Sequence, residues 1–190
     1  MKSKFILLGL LIFSLLLSGC GAGDISNADI QNMFITSEWN PDAFREMRNM
    51  NLLAVDAFLE ALSATIEQKD TTSIKCLFAP TLLTTVLTDS DIEMLCSFVE
   101  GEVLSVKRVA AHGTESKQHG ESNAFVMISC DVETTISTYR IAVKSCISDT
   151  LDDNNIGICS LYITKAENTD TQFAYWGNNE WFAGIVIDSK

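Results

Sequence analysis

Cysteine, histidine and one aspartate in an apolar run are the side chains from which this sequence could build chemistry. Beyond Cys20 there are Cys76, Cys96, Cys130, Cys146 and Cys159, and no two form a C-x-x-C pair, so neither a redox motif nor a zinc ribbon has support. In an oxidising compartment an odd number leaves at least one thiol unpaired. A hairpin symmetric about Asp152-Asp153 sets Cys146 opposite Cys159, where a cross-strand disulfide fits a non-hydrogen-bonded pair. The plainer reading makes all five thiols small buried hydrophobes. His112 and His119 lie in the polar stretch Ala111–Ser122, expected to be a loop, and with Glu115 or Glu121 could reach one metal ion. Loop histidines of this kind are ordinarily solvated, and no metal site is assigned.

Asp131 lies among Met127, Ile128 and Val132. Buried, it would have a raised pKa and, with Tyr139, could serve as the general base of an isomerase- or hydrolase-type pocket. On the exposed face of a strand it is a solvated carboxylate, and no catalytic residue is assigned. Asp149, Asp152 and Asp153 read as a hairpin turn, since the spacing and terminal Glu of a calcium loop are missing. Tyr139, Tyr162, Trp176 and Trp181 are the aromatic candidates for lining a pocket that takes an apolar or planar ligand, with core or rim packing as the alternative. The chain has no glycine-rich phosphate loop, nucleotide fingerprint or nucleophile elbow, so no cofactor is expected.

Cys20 stands apart. Lys2 and Lys4 precede an apolar run, Phe5–Leu17, whose 13 residues match a signal-peptide core and fall short of the ~20 that span a bilayer. The run ends in Leu17-Ser18-Gly19-Cys20, the pattern of a bacterial lipobox, in which the Cys20 thiol is lipidated and the chain is cut before it. Residues 1–19 are thus expected to be a lipoprotein signal peptide, and the protein to sit on the extracytoplasmic face of the cell membrane by its lipid anchor. The 190-residue chain carries a net charge of −12 with a pI near 4.4. Removing Lys2 and Lys4 leaves 11 basic against 25 acidic residues, a net of −14. So acidic a body excludes nucleic acid as a partner and gains no electrostatic help at anionic lipid, leaving the acyl chains to hold it.

The elements that must position these residues follow from periodicity. Residues 20–40 are expected to be the lipidated cysteine and a tether, part of which could dock through Met33-Phe34-Ile35 and Trp39, and residues 41–190 a single domain. Asn40-Pro41-Asp42 starts a helix; Leu52, Val55, Phe58, Leu59, Leu62 and Ile66 form one apolar stripe, with Asp56, Glu60, Ser63 and Glu67 opposite. A short helix runs through Ile74 and Leu77 to Pro80, and Ser90 with Glu93 suggests a capping box for a third, closed by Gly101. Thereafter the period is 2. Strands are expected at Glu102–Ala111, Asn123–Glu133, Ser137–Asp149 and Asn155–Lys165, with a last one around Trp181–Asp188. Helices followed by antiparallel strands define an α+β domain.

Several of these segments resemble a known family. Asp70 with Leu77-Phe78, Asp91-Ile92 leading to Gly101, Thr134 to Tyr139, the run Ile156-Gly157-Ile158-Cys159-Ser160-Leu161-Tyr162 and Gly184-Ile185 are similar to bacterial lipoproteins of a domain-of-unknown-function group. The resemblance covers roughly residues 50–188. It implies a nuclear-transport-factor-2-like, cystatin-type fold, in which N-terminal helices pack on a curved antiparallel sheet of four to five strands that forms a cone with an open end. It implies no activity. The expectation is therefore a membrane-anchored lipoprotein with a non-catalytic domain that binds a small ligand or an envelope protein. An enzyme using a pocket carboxylate, or a structural protein of the envelope, are the alternatives.

Overall fold

The 3.6-residue stripe beginning at Leu52 becomes helix α3, and the rest of the fold is built around it. In the computed structural model, residues 27–48, 51–169 and 182–188 are described. Among the described residues, six helices precede the sheet: α1 (Asn27–Phe34), α2 (Pro41–Arg45), α3 (Leu52–Glu67), α4 (Thr71–Leu77), α5 (Pro80–Thr85) and α6 (Asp89–Phe98). Val55, Phe58, Leu59, Leu62 and Ile66 are buried, as the stripe predicts, but so are Ala54, Ala57, Ala61 and Ser63, whereas Leu52 at the first turn is exposed. A helix that is apolar almost all round must be covered on more than one side. The second cover is α1, whose Phe34 ring lies edge-on to Phe44 and Phe58 at 5.4 and 5.3 Å. The tether expected at 20–40 thus contributes a helix to the core, and only its first part, with Cys20 and residues 1–19, lies outside the described residues.

Local chemistry sets the helix starts. Asn40 caps α2 through the Asp42 N–H with Pro41 in the first turn, and Asp70 caps α4 by accepting from the Ser73 N–H at 3.1 Å and hydroxyl at 2.7 Å. The capping box of α6 is Thr88 with Asp91, two residues before the expected Ser90–Glu93 pair: the Thr88 hydroxyl accepts from the Asp91 N–H, and the Asp91 carboxylate accepts from the Thr88 N–H at 2.8 Å. The Thr88 pair wins because it places Asp89 and Asp91 in the first turn, against the positive end of the helix dipole. Pro80 does not merely stop a helix; it opens α5, where its missing N–H has no partner to lose. Phe78 and Ala79, between α4 and α5, lie beside the start of the fourth strand, with the Ala79 N–H donating to the Ile158 carbonyl at 3.1 Å. Gly157 permits that seam: its φ is +132°, and a Cβ there would stand 2.6 Å from the Ala79 nitrogen.

The five strands, β1 (Val103–Gln118), β2 (Glu121–Thr134), β3 (Thr138–Asp149), β4 (Gly157–Lys165) and β5 (Gly184–Asp188), are neighbours in chain order. The first four are antiparallel, as expected, while β5 adds parallel to β4. A parallel pair needs a long connection, and residues 166–183 are long enough to provide one. The helices cover one face, where Val126, Ile128, Cys130, Val132, Ile141, Val143, Leu161 and Ile163 alternate inward. The architecture is α+β with an open, mostly antiparallel sheet.

Two departures from the sequence pattern bear on the site. Residues 111–122, expected to be a loop, continue the β1–β2 hairpin to a two-residue turn at His119-Gly120, whose φ values of 53° and 89° match a tight hairpin. Polar residues on both faces hid this extension, since an exposed ribbon needs no apolar alternation. In the β3–β4 pair, Val143 faces Leu161 and Lys144 faces Ser160, one residue from the expected register. A break between Lys144 and Ser145 then shifts the pairing once more, so Cys146 faces Gly157 and not Cys159.

Candidate functional site

Each end of the β2–β3 pair carries an aromatic side chain. At one end Tyr139 is fully buried, its ring edge-on to Phe98 at 5.6 Å and its hydroxyl accepting from the Glu100 N–H at 3.1 Å. The Thr134 hydroxyl donates to the Glu100 carbonyl at 2.7 Å and also accepts from the Ile136 and Ser137 N–H groups, holding a tight turn that has neither Gly nor Pro. Tyr139 is therefore a core residue and does not line an open pocket, as its sequence position had suggested. Tyr162 is half-buried on the opposite face, paired with Ala142 and Val186. Trp176 and Trp181 lie outside the described residues.

Asp131 is not a pocket base. Its neighbours Cys130 and Val132 point into the core, so Asp131 points to the outer face, where it sits in register with Lys107 on β1 and Arg140 on β3. Arg140 grips it bidentately through Nε and Nη2, the latter at 3.0 Å. Tyr139, adjacent to Arg140, points the other way. The two residues proposed to cooperate in catalysis stand on opposite faces of the sheet.

The histidines are equally separated. His112 is mid-strand opposite Met127 and His119 is at the hairpin tip, seven residues on and about 23 Å away at the rise of an extended strand. Glu115 is engaged by Lys117 at 3.2 Å and Arg48 at 3.6 Å. Among the described residues, no three His, Cys, Asp or Glu side chains gather as metal ligands would.

Besides a polar hollow of about 360 Å³ between Leu53 and Glu60 of α3 and Val106 and Lys107 of β1, two adjoining cavities lie at the other end, around Phe125. Strand β3 has an extra residue there: Phe125 faces Cys146 and Ala124 faces Ser148, leaving Ile147 unpaired and buried. Strand β4 has its own extra residue at Cys159. Bulges increase local twist and turn side chains away from strict alternation. On one side of Phe125 is a half-open cavity of about 180 Å³ between Met47, Arg48, Glu115, Ala124 and Ile147. On the other is one of about 210 Å³, lined by Thr81 and Leu82 of α5, Cys146, Cys159, Asp149 and Asn155. Phe125 belongs to both, and the Lys144 ammonium lies over its ring, 4.7 Å from the centroid.

The wall of the second cavity is a hydrogen-bonded turn. Asp149 accepts from the Leu151 N–H at 2.8 Å and from the Asn155 amide at 3.0 Å. Those donors hold its carboxyl below the usual carboxylate range, the backbone bond from Leu151 most of all. Thr81 donates to the Asn154 carbonyl and the Asn155 side-chain oxygen, both at 3.2 Å, tying the turn to α5. Asp152 caps the 3-10 turn Asp153–Asn155 at the Asn154 N–H, and Asp153 reaches Arg45 at 2.6 Å. The three aspartates each serve a different donor, which fits a structured turn and not a calcium loop.

The thiols at this end are unbridged. Burial pushes the Cys146 thiol up to about 12, with the neighbouring Cys159 adding to the effect, and burial also raises Cys159. Cys130, deep in the sheet core, is likewise pushed up to about 12 by burial. Only a small fraction of each is thiolate at neutral pH, so exchange through them is slow.

Phe125, Asp149, Asn155, Thr81, Met47 and Arg48 were not singled out from the sequence as pocket residues. Their only common property is being brought to one sheet end by two bulges and a helix start, and bulges leave no reliable mark in residue type. An open α+β sheet covered by helices on one face, with a divided cleft at one end, is the class of domain that fold and site define. The chain belongs to the family described as a domain of unknown function (DUF5104), whose model matches residues 61–166. That span holds both sheet ends, including Phe125, Cys146, Asp149 and Asn155. A search of the curated proteins gave no match.

Proposed function

We propose that this is a lipid-anchored extracytoplasmic protein whose domain binds a small ligand, without catalysing its conversion, in the divided cleft at Phe125. The observation that carries the reading is the pair of half-open cavities sharing that one ring. Each is smaller than the ~300 Å³ at which sites for drug-sized ligands begin. The ligand is therefore a small molecule filling one cavity, or one that spans both by displacing the Phe125 ring. Asp149 remains ionised, and Lys144 already rests on the aromatic face, so a donor-bearing group, such as an amine or amide, suits the Asp149–Asn155 wall. Leu82, Cys146 and Phe125 suit an apolar body.

The anchor reading rests on the order of charge, apolar run and lipobox at Lys2–Cys20. No helix among the described residues is long and apolar enough to cross a membrane. The nuclear-transport-factor-2-like cone belongs to the same proposal: helices on one sheet face and concavity at one end support it.

Thermal-shift screening of the full chain in detergent against small amines, amides and planar heterocycles tests the binding site. At least one class is expected to raise the midpoint in the native protein and to lose that effect in Phe125→Ala. A screen without any shift, or a shift that survives Phe125→Ala, overturns the site and favours an envelope protein as partner. Cys20→Ser is expected to move the protein out of the membrane fraction; retention there refutes lipid attachment at Cys20.

A further inference from the structure

We infer that Cys146 and Cys159 form a dithiol–disulfide pair that a low-molecular-weight disulfide converts between its two states. Neither thiol is bridged in the structure, and their strand positions are not directly opposed. The extra residue in β4 at Cys159 nevertheless sets it beside the Lys144–Ser145 step of β3, diagonal to Cys146, and both line the same cavity. Closing the bond then requires the Cys146 side chain to give up its contact with the Ser148 carbonyl, 3.5 Å away, and Cys159 its contact with the Gly157 carbonyl at the same distance. Both are weak sulfur contacts.

The two sulfurs are unequal in the way a two-step exchange requires. Cys159 is half-buried and reaches the cavity opening, whereas Cys146 is 1% exposed. The Cys159 thiolate attacks one sulfur of a disulfide R–S–S–R, giving a mixed disulfide and one thiolate, which takes up the proton that Cys159 released. Cys146, losing its own proton, then attacks the Cys159 sulfur of the mixed disulfide and expels the second R–SH. Two protein thiols are oxidised and one external disulfide is reduced to two thiols. The remaining cysteines are placed elsewhere: Cys130 faces the sheet core, and Cys76 and Cys96 are on α4 and α6. The inference stands whether or not the cleft binds a ligand.

The test uses the full chain equilibrated with millimolar oxidised glutathione or with dithiothreitol, then unfolded, alkylated and digested without reduction. A peptide linking Cys146 to Cys159 is expected to account for most of both residues after glutathione and to vanish after dithiothreitol. Because the bond closes a loop of about a dozen residues and links β3 to β4, the oxidised protein is expected to melt about 5–10 °C higher than the reduced. Cys146→Ala and Cys159→Ala should each abolish that difference. Alkylation of both thiols after glutathione, a glutathione adduct that stays on Cys159, or a link from either residue to another cysteine overturns the proposal. The mapping needs no variant, so it decides the matter even if an alanine substitution prevents folding.

Discussion

Tyr139 and Phe125 stand at opposite ends of the same pair of strands, and their surroundings differ in one respect that accounts for the rest. At the Tyr139 end β2 and β3 keep register with each other, the extra residues of β1 at Leu104 and Val109 lying on the far side of β2, while α6 delivers Phe98 and Glu100 against the ring, and Thr134 closes the turn through its hydroxyl. The Tyr139 and Thr134 hydroxyls and the Glu100 backbone all have partners within the domain. At the Phe125 end β3 and β4 each contain an extra residue, and the covering elements are short: α5 has six residues, and the turn beside it is a single 3-10 turn. Bulged strands twist apart and short elements cannot fill the gap, so cavities remain. A closed sheet end provides stability. An end with bulges and short covers provides space for something else.

Substitutions at the two rings are the strongest way to break this comparison. Tyr139→Ala should cost about 3–5 kcal/mol, as for a large fully buried side chain, and Phe125→Ala about 1–2 kcal/mol, because cavities already flank its ring. Denaturant unfolding measures both, and equal losses would mean that the Phe125 end is packed like the other. Tyr139→Phe sharpens the contrast at smaller scale. It keeps the ring but leaves the Glu100 N–H without its acceptor, so about 1 kcal/mol should be lost, and the same unfolding curves should show an unchanged m-value.

The smallest expected effect is acid sensitivity, and it should be local. Asp149 has a lowered pKa in the folded protein, chiefly through the Leu151 N–H, and Asp70 and Asp91 are lowered by the groups they cap. A carboxyl depressed on folding stabilises the protein above its unfolded value near 4, and that contribution disappears as pH falls through the folded value. All three residues are half-buried and border solvent, so screening keeps the effect small. Hydrogen exchange should therefore accelerate in residues 149–155 below about pH 4 before it does in β2–β3 near Tyr139. Simultaneous acceleration at both ends would count against a separately stabilised turn.

Much of the fold was legible because its signals are local. The stripe from Val55 to Ile66, Asn40-Pro41 and the β-rich run after Gly101 each state a preference that the structure keeps. Where the reading slipped, a distant contact decided. Ser63 looked like a solvated position, yet Asp56 and Glu67 on its face of α3 bind Arg108 and the Val103 N–H of β1, and among the described residues it is buried without a hydrogen-bond partner. Residues 111–118 looked like a loop because an exposed ribbon carries no apolar face. Asp131 and Tyr139 seemed close enough to cooperate, yet alternation sends them to opposite faces.

By itself the sequence determined an acidic α+β domain following an apolar run that ends in Leu17-Ser18-Gly19-Cys20, because charge, hydrophobic length and periodicity are properties of neighbouring residues. Only the tertiary structure decided which sheet end is open. Register is fixed by the summed packing of whole strands, and a single extra residue at Ile147 or Cys159 changes it without altering composition. The extra residue at Cys159, with the one-residue offset of β3 on β4, moves Cys146 off the position opposite Cys159 and leaves both thiols on one cavity, and the extra residue at Ile147 leaves Phe125 standing between two hollows.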